Sequence, residues 1–187
     1  MTSDLDHRSG WSEELKGLLA RHPRPTWSRA GSPIAQFWLD RHAEFRRTAV
    51  ELQTMTRTFR AGRKSPEELA GWTAPRLHAF LASLHGHHQI EDFHYFPAFR
   101  EARKELAAGF DVLASDHELL HRGIIEMMDT FNSLLVLAGA PGAASRDALL
   151  LAGERYVDVV DVMLRRLARH LDDEEDLIIP VMLDENY

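Results

Sequence analysis

Eleven histidines stand in this 187-residue chain, and nine of them lie between His42 and His170. Three pairs of donors recur at a spacing of four: His87 with Glu91, His117 with His121, and His170 with Glu174. Residues four apart share one face of a helix, so each pair aims two donors in one direction. Neutral imidazole and carboxylate together suit iron, and also zinc or manganese. With His42, the set is His42, His87, Glu91, His117, His121, His170 and Glu174. One ion takes about four to six ligands, so seven donors are too many for one. Two ions bridged by two carboxylates would use all seven, with room for a bridging oxo or hydroxo group and one open position.

The same histidines interrupt apolar stripes. One face of the first long helix reads Ala35, Trp38, His42, Phe45, Ala49, Leu52. The others read Leu77, Phe80, Leu84, His87, Glu91, Tyr95; then Phe110, Leu113, His117, His121, Ile124, Met128; then Tyr156, Val160, Met163, Leu167, His170, Glu174, Ile178. Buried singly, such groups cost on the order of several kcal/mol each, so something must satisfy them. By this reading His88, turned about 100° from His87, falls beside the site or at the surface. His78 and His85 fall off the stripe.

Four long helices must carry these stripes. The first starts at Pro33 behind a Ser32 cap and runs to about Arg60. "SPEEL" is a capping box, Ser65 with Glu68, that opens a short helix before "GWTAP". The second long helix spans about 75–96, limited by Pro97. The third spans about 104–138, and "AGAPGAAS" at 138–145 is the longest break. The fourth spans about 146–179, ending near Pro180. No alternation of period two appears, so the fold expected is all-α: an up-down-up-down four-helix bundle over residues 32–187, with an N-terminal arm over 1–31 pinned by Trp11 and Trp27. His42 lies nine residues after Pro33, His87 ten before Pro97 and His170 ten before Pro180, with His117 about thirteen into its helix. At about 1.5 Å per residue, all sit roughly 15–20 Å from one end of such a bundle.

Composition removes other chemistries. With no cysteine there is no disulfide, Cys-ligated zinc, iron–sulfur cluster or thiol nucleophile. A net charge of −7 gives no electrostatic case for nucleic acid or an anionic membrane. No signal-peptide pattern and no long apolar run is present, so a cytoplasmic protein is expected. No glycine-rich loop follows a strand, which removes nucleotide binding.

There is an internal echo: "HHQIEDFHYFP" and "HLDDEEDLIIP" share H-x3-E-x5-P. Together with "HAEFR" at 42–46 and "HELLH" at 117–121, these pieces resemble the hemerythrin family in its bacterial form, the HHE cation-binding domain, over about residues 33–182. The resemblance implies a non-haem diiron centre in a four-helix bundle. One iron would be held by His117, His121 and His170, the other by His42 and His87, with Glu91 as one bridge. The second bridge falls on Glu175 by the spacing of oxygen-carrying members and on Glu174 by that of many HHE domains; the echo with Glu91 favours Glu174.

The function this implies is a diiron protein binding oxygen or a related small molecule for sensing, storage or delivery, served by a redox partner. The alternatives are a diiron oxidoreductase acting on peroxide or nitric oxide, and a non-catalytic metal-binding or storage protein holding zinc or manganese. His94 and Tyr95, one turn beyond Glu91, are the residues that would favour the oxidoreductase if they reached the pocket.

Overall fold

The computed structural model describes residues 4–13, 15–139 and 145–185. The arm holds α1 (Gly17–Arg21) and a 3-10 turn (Arg24–Arg29). Then come α2 (Pro33–Arg60), α3 (Pro66–Ile90), a π turn (Glu91–Tyr95), α4 (Phe96–Ala102), a 3-10 turn (Lys104–Leu106), α5 (Ala107–Ala138) and α6 (Arg146–Asp184). The fold is all-α, with α2, α3, α5 and α6 packed as a bundle and the arm added at the N-terminus. Most of the break expected at 138–145 lies outside the described residues.

Local chemistry sets the boundaries. The Ser32 hydroxyl accepts from the Ala35 N–H at 3.2 Å and caps α2. Ser65 and Glu68 close the capping box reciprocally: the Ser65 N–H donates to Glu68 (2.8 Å) and the Glu68 N–H to the Ser65 hydroxyl (3.2 Å). The short helix expected there is instead the first part of α3, which continues through Pro75. Proline removes only the bond to the Gly71 carbonyl, and both residues are exposed, so water can replace it. The two prolines expected to limit long helices do not stop them either. Pro97 sits in the first turn of α4, where its missing N–H costs little, and α6 runs on past Pro180.

The chain falls into two compact units. The first comprises Met1–Phe45, His87–Glu118 and Arg166–Tyr187. It gathers the start of α2, the end of α3, the start of α5 and the end of α6, the alternation an up-down-up-down bundle requires. Its core joins Trp11 and Trp27 from the arm to Trp38, Phe96, Phe99, Phe110 and Ile178. The second comprises Arg46–Gly86 and Leu119–Arg165. There Tyr156 packs on Phe131 at 5.3 Å, and the Phe59 ring lies over Gly153, where a Cβ would meet it at 2.6 Å.

Candidate metal centre

Buried residues step along each long helix in alternating threes and fours: Ala35, Trp38, His42, Phe45 and Leu52 on α2, and Tyr156, Val160, Met163, Leu167, His170, Glu174 and Leu177 on α6. On α3 the stripe is Leu77, Leu81, Leu84 and His88, continued by Glu91 at the start of the π turn; on α5 it is Phe110, Leu113, His117, Leu120, Ile124, Met127. All the polar members of these stripes belong to the first unit. They gather into two sets: His42, His87, Glu91 and Glu174, whose donor atoms all lie within 4.8 Å of one another, and His88, His117 and His170, which meet the same limit.

Two carboxylates join the sets. Glu91 turns Oε1 to His87 Nε2 (2.9 Å) and Oε2 to His117 Nε2 (3.4 Å). Glu174 turns Oε1 to His42 Nε2 (3.6 Å) and Oε2 to His170 Nε2 (3.2 Å). Each carboxylate thus offers one oxygen to each set. Within the sets, His42 Nε2 lies 3.0 Å from His87 Nε2, and His117 Nε2 lies 3.1 Å from His170 Nε2. Two nitrogens each about 2.0–2.1 Å from one ion, at right angles, stand about 3 Å apart.

A second layer orients the imidazoles. His42 Nδ1 faces Glu175 (3.1 Å), His117 Nδ1 faces Asp92 (2.8 Å) and His170 Nδ1 faces Asp116 (3.4 Å). An ionised carboxylate only accepts, so each Nδ1 carries the proton and each Nε2 is left facing the sets. The Trp38 Nε1–H donates to Glu174 Oε1 at 2.8 Å. Trp38 and Phe45 wall His87, with ring centroids 5.8 and 5.2 Å away, and Phe96 covers His117 at 5.3 Å.

Burial in this apolar shell sets the charges. It pushes the His87 imidazole down to about 3 and His88 well below its usual value. His117 is also lowered by burial, against the pull of Asp92. Glu91 is held well above the carboxylate range by burial and then by the charge of Glu174. Burial would raise Glu174 as well, but His42 and His170 outweigh it and hold that carboxyl well below its usual value. Burial likewise opposes the charge on His170, yet Asp116 and Glu174 raise it to about 9. Without a cation, then, Glu91 keeps a proton and His170 carries one beside the Glu174 carboxylate.

Four buried atoms here lack any hydrogen-bond partner: His88 Nε2, both oxygens of Glu91, and Glu174 Oε2. All four belong to the two sets. Orphaned buried atoms converging from α3, the π turn and α6 are what a bound cation would satisfy, so the donor set fits a pair of metal ions.

Of the seven residues expected as ligands, the structure brings together His42, His87, Glu91, His117, His170 and Glu174. His121 is not among them. It is exposed, on the second unit, its ring 5.0 Å from that of His85. The step after His117 on α5 is three residues, to Leu120, which leaves His121 beside the buried stripe. His88 was expected beside the site or at the surface, yet it is 4% exposed and a member of the second set. The four-residue step from Leu84 to His88 was the signal that could have found it. Glu174 rather than Glu175 lies between the sets, and Glu175 orients His42. His94 is exposed, and Tyr95 packs edge-on against Trp38 at 4.7 Å. The π turn over Glu91–Tyr95 changes the helical phase just there, so neither falls one turn below Glu91 on its face.

Among the described residues, no helix is long and apolar enough to cross a membrane. No significant match to the chain is found among curated proteins or solved structures. The family model for the hemerythrin HHE cation binding domain matches residues 34–182. That stretch carries every residue of both donor sets, and the chain belongs to the hemerythrin HHE cation-binding family.

Proposed function

We propose that this chain is a non-haem diiron protein that binds oxygen or a related small molecule, for sensing, storage or delivery. The observation that carries it is the placement of Glu91 and Glu174, each with one oxygen toward each imidazole set. His42 and His87 would hold one ion, His88, His117 and His170 the other, and the two glutamates would be shared. Bound iron would supply one-electron redox chemistry and a coordination position for the small molecule. With two imidazoles against three, the pair His42 and His87 would leave more room for the small molecule than His88, His117 and His170.

The chain's own residues serve this by exclusion and orientation. Trp38, Phe45 and Phe96 keep water from the imidazoles, and Glu175, Asp92 and Asp116 fix three of them by their Nδ1 protons. The protons held on Glu91 and His170 are those that metal uptake would release. His94 is exposed and joins neither set, so it gives the oxidoreductase alternative no support.

The test is aerobic purification after iron-supplemented expression, with metal analysis and optical spectra before and after reduction and return of air. Two irons per chain and a spectrum that reverses with oxygen are expected. One metal per chain, or two zinc ions with no redox response, would overturn the proposal.

A further inference from the structure

The arm reaches the metal centre from outside the residues that define the family, which begin at 34. We infer that Arg8 and Arg24 are positioning residues for the two ions, each holding the carboxylate that orients one ligand histidine. The inference rests on the two-metal reading above.

Arg8 is fully buried at its side chain, and its guanidinium is shared between two helices. Nη1 and Nη2 donate to the two oxygens of Asp116 at 3.2 and 2.5 Å, and Nε donates to Asp173 Oδ2 at 2.8 Å. Asp116 in turn faces His170 Nδ1 and precedes His117 on α5, while Asp173 precedes Glu174 on α6. The relay therefore runs from Arg8 through Asp116 to His170, in the second set. Arg24 makes the matching relay to the first set. Its Nη1 donates to Glu175 Oε2 at 3.1 Å, and Glu175 Oε1 faces His42 Nδ1 at 3.1 Å. Its Nε and Nη2 hold Asp176 (2.7 Å) and the Asp172 carbonyl (2.8 Å), so the fork grips the turn of α6 that carries Glu174.

Arg8 holds both oxygens of Asp116, and Arg24 holds one oxygen of Glu175 while its other nitrogens fix the fork on α6, a geometry an ammonium does not reproduce. A carboxylate so held cannot swing away from the imidazole it orients. It also shares its charge with the arginine, which moderates how strongly it draws the Nδ1 proton and so how strongly the ligand donates. The arm's own anchors keep the arginines in place. The Trp11 Nε1–H donates to the Asp173 carbonyl at 2.7 Å, and Arg8 and Arg24 lie over Trp11 and Trp27 at 5.3 and 5.0 Å.

Full-length chain loaded with cobalt(II) tests this through the two rates at which the ions pass to excess chelator. Arg24→Gln is the clean variant, because that side chain is 42% exposed and an exposed ion pair adds little stability. It is expected to speed release of one ion by roughly tenfold and leave the other unchanged. Arg24→Lys should fall between, and Arg8→Lys should speed the other ion. In a His42→Ala background, Arg24→Gln should do nothing further while Arg8→Lys keeps its effect. In the metal-free protein, Arg24→Gln should shift the imidazole N–H resonance of His42 and not that of His117. Unchanged release of both ions in Arg24→Gln, or equal speeding of both with a lowered melting point of the metal-free chain, would overturn the inference. A wild-type chain that takes up fewer than two cobalt ions would instead fail the two-metal reading beneath it, before any variant is made.

Discussion

The His88 imidazole lies flat on that of His117, ring centroids 4.1 Å apart and planes 10° apart, with its Nε2 buried and without a partner. This contact makes α3, rather than a second turn of α5, the source of the third imidazole in the set. On the two-metal reading, His88→Ala should bind one metal ion per chain where the parent should bind two, and His121→Ala should keep both. Metal analysis after desalting measures this. Loss of an ion from the His121 variant and not from His88→Ala would reverse the assignment.

Glu91 and Glu174 should respond oppositely to amide replacement in the metal-free chain. Burial and then the charge of Glu174 hold Glu91 well above the carboxylate range and favour its neutral form, so Glu91→Gln should leave the melting temperature little changed or raised. Glu174 is ionised and faces His42 and His170, so Glu174→Gln strands buried positive charge. Breaking such a pair costs about 3–5 kcal/mol, and each kcal/mol moves Tm by about 2–4 °C in a chain of this size. Both variants should lose metal, since each removes a shared oxygen from both sets.

The metal-free protein should be most stable near pH 6.5 and weaker on either side. The folded pKa of His170 is raised to about 9, so its contribution is full below 6.5 and is lost as pH rises toward 9. Glu91, raised by burial, adds to the alkaline loss. His87 is lowered to about 3, so between 6.5 and 3 the unfolded chain binds a proton that the folded chain refuses, and stability falls with pH. His88 and His117 act in the same direction and together outweigh the opposite trend of Glu91 above 4.5. Thermal melts of chelator-treated protein across about pH 5 to 9 measure the profile; a curve without a maximum would contradict it.

Two helix glycines in the second unit differ in what lies over them. A Cβ at Gly153 would meet the rigid Phe59 ring at 2.6 Å, while one at Gly123 would meet the Met163 sulfur at 2.9 Å. Gly153→Ala should cost about 1–3 kcal/mol by overpacking. Gly123→Ala should be near neutral, because a thioether can turn aside and alanine gains about 1 kcal/mol in a helix. Urea unfolding of the two variants separates them.

Much of this was legible along the chain because it depends on spacing alone. Period-3.6 patterning and the Ser32 cap placed the long helices, the Ser65–Glu68 box marked a helix start though of a longer helix than expected, and six of the donors followed from histidines and glutamates inside apolar stripes. What the spacing did not decide was phase. Residues three and four apart both lie on one face, so a stripe read in one phase favours His87 over His88 and His121 over Leu120, and the other phase reverses both. Helices that pack against one another select alternating steps of three and four, because only a 3.5-residue average keeps a stripe on its partner. That selection turned His88 inward and His121 out, and past the π turn after Ile90 His94 is exposed while Tyr95 packs against Trp38. The arginine relays depend on tertiary structure entirely: Arg8 and Asp116 are 108 residues apart, and Arg24 and Glu175 are 151, so only the folded arm brings each guanidinium to the carboxylate it holds.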